Sequence, residues 1–227
     1  MADLQGIKRN ITEVALVCTE KQFADLYASD VSLQDNEYLR LDINQMRGEL
    51  CGGVTKGTLK PGSVAVVPKS SSAYYLAFLL CSLPGQLFLF GQKFNVKAKA
   101  VINRKRVSTI TVFEVEKDSE NAYATAEVLK ESAYSEFLEH KDDLNYERLY
   151  RLVADLCDML ALELYAHPLF EQKGIFILDN WKKVLPVTNN KNDILKALMS
   201  LSDSNSPLRN EIMKAHILVH DFNDYIK

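Results

Sequence analysis

The chain has 227 residues, 47% of them hydrophobic and 25% charged, with a formal net charge of −3. That is enough apolar material for one large core or two modest ones, and it excludes a disordered or collagen-like chain. No window approaches the roughly 20 uninterrupted apolar residues a membrane helix needs, and Met1-Ala2-Asp3-Leu4-Gln5 is not a basic start leading into an apolar run. A cytoplasmic protein with no membrane partner is expected. Cys18, Cys51, Cys81 and Cys157 stand far apart with no C-x-x-C pair, which speaks for reduced, mostly buried thiols rather than a zinc cluster or disulfides.

In chain order, Ile11 to Cys18 is apolar enough for a strand or a short helix, and Tyr38-Leu39-Arg40-Leu41-Asp42-Ile43 alternates as a half-buried strand does. Gly48, Gly52, Gly53 and Gly57 read as repeated breaks. Leu59-Lys60-Pro61-Gly62 is a turn signal feeding the β-branched run Ser63 to Val67. Ser71 or Ser72 is placed to cap a helix over Ala73 to Ser82, stopped by Pro84-Gly85; it is apolar nearly all round and is expected to bury itself on a sheet. It is the only clear helix of the first half. Leu87 to Phe90, Ala100 to Ile102 and Val107 to Phe113 return to strand character.

After Lys117 the apolar period changes from two to about 3.6. Ala126, Leu129, Ala133 and Phe137 share one helical face, and Tyr146 to Leu164 forms a longer amphipathic helix ending at His167-Pro168. Gly174 to Trp181 reads as a short strand or an apolar connection. Two further helices are predicted over Asp193 to Leu201 and Pro207 to about Tyr225, the second with Ser206 as N-cap and Pro207 at the first helical position. The expected fold class is α+β. A mixed, mostly β domain with one buried helix occupies residues 1–117, and a helical module occupies 118–227.

Charge is sorted along the chain. Between Ile43 and Phe113 ten Lys or Arg residues face one acid, Glu49; up to Glu116 there are 14 basic and 11 acidic residues, and beyond it 13 and 19. The densest stretch, Lys93, Lys97, Lys99, Arg104, Lys105 and Arg106, suits a polyanion, and the acidic second half would be repelled by one.

The usual traces of catalysis are absent: no P-loop, no G-x-G-x-x-G turn, no G-x-S-x-G elbow, and no Asn/Asp-Pro-Pro-aromatic signature of a base methyltransferase. His216 and His220 lie one helical turn apart but lack a third obvious ligand, so they read as helix-surface histidines. Neither a catalytic residue nor a metal or cofactor is expected.

The order of Leu59-Lys60-Pro61-Gly62-Ser63-Val64-Ala65-Val66, then Tyr74-Tyr75-Leu76-Ala77-Phe78-Leu79-Leu80-Cys81-Ser82, then Val107 to Val112 resembles the target recognition domain of type I restriction-modification specificity subunits. The resemblance spans roughly Ile11 to Phe113. Ser63 stands where that family commonly has Asp, and the proline-rich closing motif is missing, so the chain looks like a half-sized or diverged relative. The resemblance implies a non-catalytic module that binds double-stranded DNA beside a separate DNA methyltransferase or restriction subunit. A homodimer would rebuild the family's two-domain arrangement.

Phosphate neutralisation would fall to Lys93, Lys97, Lys99, Arg104, Lys105 and Arg106, with Lys56, Lys60 and Lys69 on glycine-rich loops. Arg104, Arg106, Asn95, Asn103 and Gln92 are the side chains suited to reading bases. The alternative is a protein–protein interaction or regulatory subunit that keeps the recognition fold without sequence-specific DNA binding; its long helix from Asp143 to Tyr165 reads either as the docking element or, the favoured reading, as the core of its own bundle.

Overall fold

Gly62 takes φ +80° in the turn that the Ser63 N–H closes on the Lys60 carbonyl at 3.2 Å, a left-handed backbone suited to a residue without Cβ. The turn launches the central strand of the larger sheet. The protein, as a computed structural model, is described over residues 6–29, 36–44, 49–82, 102–185, 197–198 and 200–225. These residues divide into two compact units, Gly6–Glu120 and a second beginning at Asn121. The fold is α+β, with the strands in the first unit and helices in the second.

In the first unit the elements are β1 (Ile7–Asn10), α1 (Ile11–Val14), β2 (Ala15–Thr19), α2 (Glu20–Ser29), β3 (Tyr38–Asn44), β4 (Glu49–Thr55), β5 (Val64–Pro68), α3 (Ala73–Cys81), α4 (Arg104–Val107) and β6 (Thr111–Glu114). Four strands form an antiparallel sheet in the order β2-β5-β3-β4, and β1 pairs with β6 in a separate ribbon. The register sets Leu41 opposite both Gly52 and Val64. These three lie on the face covered by α3, whose Ala73 and Tyr75 to Leu80 are all buried. Ser72 caps α3 through its Oγ, which accepts from Tyr75 N at 3.1 Å, and the Tyr75 hydroxyl donates to the Phe113 carbonyl at 2.8 Å. The opposite face packs Cys18, Phe23, Tyr38, Leu59, Ala65 and Val67 together. Val64 to Val67 are therefore all buried, because both faces of β5 are covered.

Several local expectations change, among them the strand predicted over Val107 to Phe113, which begins only at Thr111 because Val107 closes a helical turn. Gly52 and Gly53 lie within β4 instead of breaking it, and a Cβ on Gly52 would come 2.7 Å from Cys81 Sγ and 2.9 Å from the Arg40 carbonyl. Ile11 to Cys18 is both alternatives in turn: Asn10 closes a capping box with Glu13 around the single turn α1, and the chain then extends into β2. α3 is not the only helix of substance before Lys117, since α2 adds ten residues. Its one buried residue is Phe23, too few apolar positions for the periodicity to announce it. The segment Leu87 to Phe90 lies outside the described residues.

The helices that follow are α5 (Lys117–Glu139), α6 (Leu144–Tyr165), α7 (His167–Gln172), α8 (Ile177–Val184) and α9 (Pro207–Tyr225). Asp143 caps α6 by accepting from Asn145 N at 2.8 Å, and Ser206 caps α9 by accepting from Arg209 N at 3.0 Å. Gly174, at φ +64°, follows α7. The segment expected to be a strand or connection near Trp181 is the helix α8, with Ile177, Leu178 and Trp181 buried and Lys182 and Lys183 on its other side. Trp181 Nε1 donates to the Ala122 carbonyl at 2.8 Å. Of the predicted helix Asp193 to Leu201, residues 197, 198, 200 and 201 are described and are helical.

Candidate nucleic-acid interface

Asn103 turns the chain into α4: its Oδ1 accepts from Arg106 N at 2.9 Å, so this side chain is committed to a cap. The sequence reading placed the cations after Asn103 on strand or loop. They occupy instead a single helical turn, anchored by fully buried Val107, with Arg104, Lys105 and Arg106 exposed. Lys93, Lys97 and Lys99, with Gln92 and Asn95, lie outside the described residues.

Arg104 Nε donates to the Val17 carbonyl at 2.9 Å, and Lys69 Nζ donates to the Thr12 carbonyl at 2.7 Å. The two cations are thus held against the α1–β2 segment by neutral acceptors, which fix their positions without cancelling their charge. The carboxylates of this unit that form ion pairs do so elsewhere. Glu114 and Glu13 take Arg9 at 2.9 and 3.7 Å, Glu120 takes Lys117 at 3.0 Å, and Asp42 lies 2.9 Å from Arg40 Nε without hydrogen-bond alignment. Among the described residues, Lys56, Lys60, Lys69, Arg104 and Lys105 have no carboxylate partner.

These cations do not all gather at one end of the sheet. Lys60 precedes β5 and Lys69 follows it, so about 17 Å of strand separates them. Lys56 follows Thr55, which pairs with Tyr38 at the Lys69 end. Arg104 and Lys69 come together around Thr12 to Val17, while Lys60 stands apart.

The edge of β2 is the part of this region that the sequence did not point to. Four bonds fix which way its backbone faces. The Val14 carbonyl accepts from Lys69 N, so Val14, Leu16 and Cys18 turn toward β5. Ala15, Val17 and Thr19 turn away: Ala15 N–H returns to the Ile11 carbonyl, Val17 C=O meets Arg104, and Thr19 N–H meets Gln22 Oε1 at 3.2 Å. Pro68, lacking an N–H, sits opposite Ala15, where none is required. The Ala15 carbonyl and the Val17 N–H also turn away from β5, in residues that are buried.

Along this edge runs an open cleft of about 410 Å³, lined by Thr12, Ala15, Leu16, Val17, Cys18, Gln22, Asp25, Leu26, Arg104 and Ser108. Burial pushes the Cys18 thiol up, against the pull of the Arg104 charge, so it is a buried thiol rather than a poised nucleophile.

In the helical unit two buried carboxylates serve structure. Glu163, 2% exposed, accepts from Ile177 N at 3.1 Å and Leu178 N at 2.8 Å, and Glu211 accepts from Phe176 N at 2.8 Å. His216 Nε2 lies 2.6 Å from Asp155 Oδ1, a contact that the i,i+4 spacing to His220 gave no sign of. Comparison with models of known protein families, with curated proteins and with solved structures finds no match.

Proposed function

We propose that this chain is a non-catalytic DNA-recognition module. Its β-containing unit binds the duplex phosphate backbone, and its helical unit docks a separate methyltransferase or restriction subunit. The observation that carries the reading is the set of cations on and around α4 and β2. Arg104 and Lys69 are fixed by backbone carbonyls and so retain their full charge, and Lys105 and Lys56 have no carboxylate partner. Catalysis belongs to the partner in this reading. Asn103, used as a helix cap, drops out as a base reader, which leaves Arg104 and Arg106 as the described candidates for a guanine edge.

The test is a titration of a labelled duplex against the full chain over a range of salt. Binding should weaken with a log-log slope of about −0.9 for each phosphate engaged, and the double variant Lys105→Gln/Arg106→Gln should make it shallower by about 2. Salt-insensitive binding, no binding, or an unchanged slope in the folded variant would refute the reading.

A second reading, a protein–protein interaction subunit, is favoured by the tip of the α5–α6 hairpin. Tyr134, Leu138 and Leu144 are 45%, 43% and 66% exposed there, beside the Tyr134, Phe137 and Tyr150 ring cluster. Under that reading Tyr134→Ser/Leu144→Ser abolishes capture of the partner subunit while duplex binding is absent in the parent.

A further inference from the structure

Arg40 stands on β3 with its charge offset and its hydrogen bonds unmade. Asp42, two residues on and on the same face of the sheet, brings Oδ2 to 2.9 Å from Arg40 Nε. Ser63, 4% exposed, donates from Oγ to Asp42 Oδ1, so the carboxylate is itself held in place from the β5 side. The contact to Nε is off-axis, and the guanidinium forms no hydrogen bond among the described residues. The Arg40 and Asp42 side chains are each 28% exposed, and Arg40 is flanked by Gly53 on β4 and Ala65 on β5, the two smallest residues that could stand beside it.

β4 and β5 both run antiparallel to β3 and lie on either side of it, so the connection 56–63 has to cross β3. It crosses on the face that carries Arg40. The Tyr38 hydroxyl donates to the Gly57 carbonyl at 3.2 Å, Leu59 packs with Tyr38, and Tyr38 shares a face with Arg40 by the strand period of two. Lys56 and Lys60, exposed and without carboxylate partners among the described residues, are therefore carried on the same side of the sheet as Arg40.

A guanidinium beside a carboxylate is a poor phosphate ligand, because the phosphate would meet the Asp42 charge as well. What it keeps is a planar fork that fits two neutral acceptors side by side. We infer that Arg40 reads a guanine edge in the major groove, taking O6 and N7 together, while Lys56 and Lys60 take neighbouring phosphates. The inference rests on the duplex-binding reading and adds to it a residue that supplies sequence preference, leaving Arg104 and Lys69 to the backbone.

In the test, the full chain selects from a random-sequence duplex pool, and the recovered sequence is remade with 7-deazaguanine, which lacks the N7 acceptor but leaves every phosphate in place. Replacement at one guanine should weaken binding about tenfold, the loss of one hydrogen bond to a charged group. Arg40→Met/Asp42→Asn removes the fork without changing net charge; it should keep the parent's salt slope and lose the response to 7-deazaguanine at that position. Asp42→Asn alone leaves Ser63 an acceptor and uncovers the Arg40 charge, so the slope should steepen by about 0.9. This conservative variant decides the matter if the double variant fails to fold. A parent that binds no duplex overturns the inference together with the reading beneath it. Salt-dependent binding without a responsive guanine, a guanine response that survives in the double variant, or an unchanged slope in Asp42→Asn overturns the inference alone.

Discussion

Gly52 is held to its identity by crowding rather than by backbone conformation. A side-chain carbon there would press on Cys81 Sγ at 2.7 Å and on the backbone carbonyl of Arg40 at 2.9 Å, and the carbonyl cannot rotate away. Gly52→Ala should therefore lower stability by about 1–3 kcal/mol, read as a fall in the urea midpoint with unchanged slope. Glu163 yields a pH prediction. Burial raises its carboxyl from the ordinary 4.5 to about 8, outweighing the two backbone donors that favour the charged form. Tyr123, Asp179 and Glu211 share its surroundings. The folded state thus holds a proton that the unfolded chain releases, so the contribution is full below pH 4.5 and is lost as pH rises through about 8. Unfolding midpoints should fall across that window, and Glu163→Gln should flatten the fall.

The helix ends repeat one device at several places. Four backbone N–H groups at each N-terminus need acceptors. Asn10, Ser72, Asn103, Asp143 and Ser206 supply them locally, from positions just ahead of their helices. α8 has no side-chain cap of its own, and its first N–H groups are taken by Glu163 from α6 and Glu211 from α9. The two kinds of cap predict different outcomes. Asn103→Ala should cost about 0.5–2 kcal/mol and, by loosening the turn that carries Lys105 and Arg106, should also weaken duplex binding. Glu211→Ala should cost stability alone, as seen by comparing denaturation with duplex titration. The Ser72 and Ser206 caps are legible in the sequence because capping is a short-range preference and each serine stands before a clear apolar helix, whereas Asn103, ahead of a single turn, is not. The α8 cap is not legible either, because its acceptors lie 14 to 35 residues away.

At the scale of the chain, charge and periodicity separate two units of different character. The change from strand to helix period near Lys117 is visible in the residues, and the structure divides at Glu120 within the same region. Net charge divides with them, +3 up to Glu116 and −6 beyond, so duplex binding should be repelled by the second half and fall steeply with salt. Neutralising cations near β2 should change the salt dependence, whereas Lys182→Gln/Lys183→Gln on α8 should leave it within error. The basic block was conspicuous as a string of residues, yet the string said nothing of which members share a surface. β5 parts Lys60 from Lys69, and the fold brings Lys69 and Arg104 to the same segment from positions 35 residues apart.

The sequence by itself determined the fold class, the turn at Pro61-Gly62, the buried helix after Ser72 and the long helices from Lys117 onward. Each rests on preferences acting within a few residues, namely apolar period, turn chemistry and capping. Only the tertiary structure decided that Gly52 must lack a side chain, that Glu163 sits buried against another helix, and that Arg104 meets the Val17 carbonyl on β2. Those facts depend on which distant segments touch, and contact between distant segments leaves no periodic mark on the chain.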